Sequence, residues 1–526
     1  MPMVHQVGLA IALLLTYLLY WKILRPTIFS PLFRIPAAHP TAHFSSWWLA
    51  RNRPTGTEAR SVFAAHQRCG PVVRLAPNEV SITSQEGLRK VYFSSLSRTD
   101  WALAFRNYDG TPNLVTLLDP REHATRRRML SNLFSKSYLL NSADFCDLSQ
   151  AIIFGRLLPM IDKAARDGSG VDVFEISTAL AAEVMSAYQV GLKRGFDFTS
   201  PGRETSRKRH LENGKKKLGD YAKMSHLAAK ELEEECFQMC VETEEFLRLT
   251  GEQKKPVERP VQEGSTLPTT TNPVTFARLS TDIPAKEGDK SAADTLRLIA
   301  SELLDHLEAA RVGIGITVTY AMYQLSQRPK LQSQLRAELM ALPVAPRYPS
   351  PGLESKSVLQ QIDKVGLLDA TVMETLRVHP SAPGPQPRSV PEGGVVIDGY
   401  FIPAGVFIST SPYFLHQNRA AYPDPDKWQS ERWMKGQNTK AEHSVNDISM
   451  GQEMEEDDPR RWFWAFGRGG RMCVGSNFAL ITTKVILASV YTSFTTTIID
   501  DEGVEQRDSL PADPVGDKLI LGFSRV

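Results

Sequence analysis

The stretch Phe466–Gly475, FGRGGRMCVG, sets one cysteine, Cys473, at the end of a glycine-rich loop, with Arg471 two residues before it and an apolar run from Phe478 to Val490 after it. A cysteine placed this way can bind a metal as its thiolate. That form is favoured by the metal's charge, by backbone N–H groups and by the start of a helix. Gly467, Gly469 and Gly470 let the chain turn so that peptide N–H groups point at the sulfur. Gly475 removes a side chain where a flat group would lie against the helix start. Arg471 can make a forked, charge-assisted bond to a carboxylate. The bland alternative is a small buried hydrophobe. A dinucleotide-binding reading fails, because Met472 stands where the third glycine of G-x-G-x-x-G belongs.

Such a loop has to be held by helices, and three stand out. Glu374 and Arg377 in LLDATVMETLRVHP share a helix face, and Arg432 follows in PDKWQSERW. PREHATRRRMLSNLF reads as a helix capped at Asp119 with Pro120 just inside. His123 and Arg127 share one of its faces, while Arg126 and Arg128 are expected to turn away, toward a partner surface. A long helical run covers Thr295–Ser326.

The pattern F-x-x-G-x-R-x-C-x-G, filled by Phe466, Gly469, Arg471, Cys473 and Gly475, resembles the haem-binding signature of the cytochrome P-450 superfamily at every position. Glu374 and Arg377 match the family's second signature, E-x-x-R, and with Arg432 resemble the buried charge triad that fixes the cysteine loop. The resemblance implies a mainly α fold, the cytochrome P-450 fold: a single large helical domain with a minor β-sheet, plus an N-terminal transmembrane helix. It implies haem b (iron protoporphyrin IX) with Cys473 as the axial iron ligand and His123, Arg127, Arg388 and Arg471 toward the propionates. The implied enzyme is a monooxygenase inserting one atom of O2 into an apolar small molecule, an intermediate of fungal secondary metabolism. A thiolate trans to oxygen pushes electron density toward the iron and favours O–O cleavage. Electrons are expected from NADPH-cytochrome reductase, with cytochrome b5 as an optional second donor. A basic patch of Arg460, Arg461, Arg468 and Lys484 is expected to dock that acidic partner. By the same resemblance, the aromatic loop Arg98–Leu118 covers the substrate.

One departure bears on mechanism. Aligned on the family, the long helix places Ala309 and Ala310 at a small-residue pair, Val312 where an acid is usual and Gly313 where a threonine is usual. The acid and alcohol that relay protons in the family are therefore missing, and His306, Glu308 and Thr317 earn no assigned role. Two alternatives stay open: a haem-thiolate isomerase, dehydratase or peroxide user without oxygen activation, and a non-catalytic haem-binding protein.

With 526 residues, 42% hydrophobic, the chain can bury one large core, and a net charge of +2 gives no argument for nucleic-acid binding. Five scattered cysteines suggest a reducing compartment and no disulfide framework, and Cys236 and Cys240 read as helix packing. The segment from Val7 to Trp21 is apolar all round, slightly short of the roughly 20 residues that span a bilayer. Lys22, Arg25 and Arg34 follow it and no basic residue precedes it, which places the bulk of the chain in the cytoplasm. Residues 1–25 are thus expected to be a single-pass anchor in the endoplasmic reticulum membrane, and 26–526 the catalytic domain. Within that domain, 251–294 is rich in Pro, Thr, Ser and Lys and reads as a disordered linker. Arg203–Lys217 reads as an exposed basic loop or helix end, and GPVVRLAPNEVSI, VVIDGYFIP and AGVFIST each as a hairpin.

Overall fold

The computed structural model describes residues 2–53, 56–94, 96–219, 226–250, 272–287, 291–350, 352–353, 355–434 and 458–526. They group into two compact units.

The first unit comprises Met1–Trp101, Pro383–Asn418 and Gly467–Met472. Strands Val72–Ala76 and Glu79–Ile82 pair antiparallel about Pro77-Asn78, as the alternation of apolar residues predicts. Phe407–Ser409 adds parallel to Glu79–Ile82, and Arg388–Ser389 adds antiparallel to Phe407–Ser409. AGVFIST is therefore not a hairpin of its own; its strand is claimed by distant partners. VVIDGYFIP is one, with Val395–Ile397 paired to Tyr400–Ile402 and Asp398 and Gly399 both at positive φ in the turn. The Pro2–Leu19 helix runs on helically to Ile28. Its His5–Leu24 segment, 20 residues with none buried, is long and apolar enough to cross a membrane and is compatible with an anchor.

The second unit comprises Ala102–Ala382, Arg419–Phe466 and Cys473–Val526. Its axis is the helix Ala292–Ser326, 35 residues long, started by Ser291, whose side chain accepts the Asp294 N–H. A helix apolar on most of its circumference must be buried. Accordingly, Val173–Val190, His226–Thr250, Val274–Glu287, Gly366–Val378 and Ser476–Tyr491 pack around it. Leu303, Leu307, Ile314 and Val318 are buried here, each worth about 1.5–3 kcal/mol of transfer free energy. A small sheet of Phe494–Asp500, Ile520–Arg525 and Val171–Asp172 completes the unit.

Two expectations need correction. The proposed linker over 251–294 contains a helix, Val274–Glu287, whose Phe276, Leu279 and Ile283 are buried; residues 251–271 and 288–290 lie outside the described residues. The basic stretch is also helical, Glu204–Gly219, and it buries Arg207 and His210. Cys236 and Cys240 are buried in the His226–Thr250 helix, as packing residues should be.

Candidate active site

In the second unit, Cys473 ends the glycine loop with its side chain exposed, although most of the helix it leads into is buried. Its N–H donates to the Phe466 carbonyl at 2.9 Å, closing the loop on itself. Gly475 caps the Ser476–Tyr491 helix, so the sulfur stands at that helix's positive end. Phe466 packs against the main core, with Phe463 at 6.5 Å between ring centroids, and Phe463 meets Trp433 edge-on at 5.4 Å.

Those rings lead to the charge triad. Glu374 and Arg377 are fully buried and Arg432 nearly so. Arg377 donates to both oxygens of Glu374 at 2.8 Å and passes its third nitrogen to the Pro425 carbonyl at 2.7 Å. Glu374 further accepts from Arg432 Nε at 3.2 Å, the Gln429 N–H at 2.9 Å and Trp433 Nε1 at 2.8 Å. Five donors on one carboxylate leave neither of its oxygens without a partner and so offset its desolvation. Trp433 and Gln429 are members that the E-x-x-R spacing could not announce.

The helix Pro120–Leu130 begins as predicted, with Asp119 accepting from the Arg121 and Glu122 N–H groups. His123 is buried on it, and Arg127 is half-buried. Burial pulls the Arg127 guanidinium below its usual range, against an opposing pull from the Cys473 thiolate. Arg126 corrects the expectation of a partner surface: it is buried, and its Nη1 donates to Glu302 at 2.8 Å. Glu302 lies on the central helix, where His306 Nε2 stands 3.3 Å from its other oxygen.

Further along that helix, Ala309 is exposed between buried Glu308 and Ala310. A Cβ built on Gly313, one turn on, would meet nothing within 4 Å. The helix thus presents a bare face to open space. Val312 instead packs into an apolar cluster with Phe174, Leu211, Ile316 and Tyr320. Glu308 is held by Arg311 at 3.0 Å, and the Thr317 hydroxyl donates to the Gly313 carbonyl at 2.6 Å.

In the first unit, Gly469 and Arg471 form a single helical turn. Gly469 has φ +71°, and a Cβ there would lie 1.9 Å from the Tyr92 carbonyl oxygen, so only glycine fits. Tyr92 also underlies Arg388, whose guanidinium sits 4.9 Å from the ring centroid. The Tyr92 hydroxyl donates to the Gln386 carbonyl at 2.6 Å and accepts the Thr410 N–H at 2.7 Å. Burial raises that hydroxyl to about 12. Arg388 is itself buried and donates to the Pro387 carbonyl at 3.0 Å; among the described residues it makes no ion pair. Nothing in the sequence marked Tyr92 as the support of both groups.

Only half of the expected basic patch, Arg460 and Arg461, reaches the surface. Lys484 is buried and held by Asp363 at 3.0 Å and Asp369 at 2.6 Å, and Arg468 is also buried. Arg460 is exposed and paired with Asp458 at 2.8 Å.

The sequence model of the cytochrome P-450 family matches residues 43–518. The chain belongs to the cytochrome P-450 family. Similar curated proteins include the cytochrome P-450 monooxygenase avaI of Aspergillus versicolor, 25% identical over 439 residues that cover 81% of this chain and 96% of the relative. Another is the monooxygenase orf2 of Aspergillus niger, 23% identical with 98% and 96% covered. A third is the monooxygenase ankB of Aspergillus thermomutatus, 24% identical with 95% and 90% covered. This cytochrome P-450 is therefore a monooxygenase, and the family implies a haem. The second unit's residues fit one: an exposed thiol at a helix start and a bare helix face at Ala309 and Gly313.

Proposed function

We propose that Cys473 is the axial ligand of haem b, that His123, Arg127, Arg388 and Arg471 serve its propionates, and that Glu374, Arg377 and Arg432 fix the loop carrying the sulfur. The observation that carries this reading is the Cys473 side chain, exposed at a helix start and locked by its N–H on Phe466. When bound, haem supplies the oxygen-activating chemistry. The chain's residues hold it, exclude water and orient the substrate. The substrate is an apolar small molecule of fungal secondary metabolism, and NADPH-cytochrome reductase, with cytochrome b5 as an optional donor, supplies electrons. Residues 1–25 anchor the protein in the endoplasmic reticulum membrane with 26–526 in the cytoplasm, a reading supported by the exposed apolar helix and the basic residues after it.

A second reading draws on Val312 and Gly313, which put no acid and no alcohol on the open stretch. In that reading the enzyme uses peroxide, or rearranges its substrate without activating O2. The reduced carbon-monoxide spectrum tests ligation: the thiolate-type band is expected from the parent protein and absent from Cys473→Ser. Product formed only with reductase, NADPH and O2 supports the first reading, and product formed with peroxide alone or with no oxidant supports the second.

A further inference from the structure

Between Leu298 and Met322 every residue of the central helix is buried except Asp305, Ala309 and Gly313. The three are spaced by four, so each stands about 40° round from the last and they share one side of the helix, over a rise of about 12 Å. Ala309 and Gly313 bring no polar side-chain atom to that side. Asp305, one turn before Ala309, brings a carboxylate.

The acids on either side of it in sequence are placed differently. Glu302 is fully buried and accepts from Arg126 at 2.8 Å and from the Leu114 N–H at 3.1 Å. Glu308 is buried and accepts from Arg311 Nη2 at 3.0 Å. Each of those charges meets an arginine inside the core. Asp305 stands between them in sequence, yet it is only half-buried and lies on the side of Ala309. A carboxylate has two oxygens with about four lone-pair positions, so a bond made to the protein there leaves positions for a ligand. Taking a cation out of water into surroundings of alkyl groups is costly unless an anion meets it. A carboxylate on that wall offsets the cost for an ammonium and gives an uncharged molecule of the same shape no comparable gain.

We propose that Asp305 binds substrate, and that the substrate is an apolar molecule carrying one basic nitrogen, held as an ammonium on the Asp305 carboxylate while the apolar body lies along Ala309 and Gly313. This rests on the reading of that side of the helix as the haem and substrate side. It narrows the substrate from apolar small molecules in general to amines, and it makes the charge at residue 305, rather than the shape of the site, the source of that preference.

The test uses the full-length holoenzyme and two probes of one cage shape: 1-aminoadamantane, a cation at neutral pH, and 1-adamantanol, which is neutral. Binding is followed by titration calorimetry, which needs no turnover. The parent protein should bind the amine roughly 10- to 100-fold more tightly than the alcohol, as a hydrogen bond to a charged group implies. In Asp305→Asn the ratio should fall to within about twofold of unity while the alcohol binds as before, and Asp305→Glu should recover most of the preference. Ala309→Leu, which fills the same side without touching the charge, should weaken both probes by about tenfold and leave their ratio alone. A parent protein with no preference for the amine, whether both probes bind or neither does, overturns the assignment, and so does a preference that survives in Asp305→Asn. Unchanged affinities in Ala309→Leu overturn the placing of the ligand along Ala309 and Gly313. If Asp305→Asn does not fold, the parent ratio and Ala309→Leu still decide the matter. Absence of the thiolate-type carbon-monoxide band from the parent counts against Cys473 as the ligand instead, and the calorimetric ratio is read without it.

Discussion

Glu374 and Glu302 are both fully buried carboxylates, each on a helix and each bonded to an arginine and to a backbone N–H. They differ in where the arginine comes from. Arg377 is three residues from Glu374 on the same helix, so the pair is preassembled and its remaining bonds reach out to fix the 424–433 segment. Arg126 comes to Glu302 from a helix 176 residues earlier in sequence, so that pair exists only once the tertiary fold has formed. The first network is the one proposed to fix the Cys473 loop, and the second ties Leu114 and Arg126 to the central helix.

The comparison is broken most directly at Glu374. Glu374→Gln leaves Arg377 and Arg432 buried around a neutral group, and a loss of about 3–5 kcal/mol is expected, enough to abolish haem retention. Haem content per purified protein and the thermal unfolding curve check this. Glu302→Gln is expected to cost about 2–3 kcal/mol while the protein still carries haem. Equal haem loss in both variants would erase the distinction between the two networks.

pH sharpens the contrast further. Burial depresses His379, stacked on Tyr320 with ring centroids at 4.1 Å, to about 3, and depresses His66 to about 4. Both rings are neutral in the fold and titrate near 6.5 when unfolded. Their stabilisation is complete above pH 6.5 and is lost as pH falls toward those values, by up to about 1.4 kcal/mol per unit for each ring. The Glu302 carboxyl lies below its ordinary 4.5, so its contribution is kept above that pH and lost only beneath it. Thermal unfolding followed against pH should therefore flatten between about 3 and 6.5 in His379→Gln, and only below 4.5 in Glu302→Gln. The smallest effect is expected at the surface: Arg460→Glu should slow reduction by the redox partner roughly two- to threefold at low salt, and the difference should vanish at high salt.

Much of this was legible in the chain. The cysteine loop, the Asp119 cap and the Glu374–Arg377 spacing are local patterns, and local patterns survive without knowledge of partners. Arg126 was misread because neighbouring helix residues point about 100° apart, and which of Arg126 and Arg127 turns inward depends on Glu302, a residue no local window contains. Lys484 was misread for the same reason, its carboxylate partners being Asp363 at the end of the helix Lys356–Asp363 and Asp369 in the first turn of Gly366–Val378. The helix Val274–Glu287 was hidden by averaging: Phe276, Leu279 and Ile283 follow helical spacing, but the Pro- and Thr-rich residues before them dilute any longer window.

The bare position at Gly313 also determines what the chain will tolerate. A methyl group there meets no atom within 4 Å, whereas one on Gly315 would strike the Thr178 Cα at 2.7 Å. Two glycines in the same helix are therefore opposite in mutability. The first has room for a methyl group among the described protein atoms, at a gain of about 0.5–1 kcal/mol in helix propensity, and a change there alters what faces the open side, whereas Gly315 is closed to any side chain.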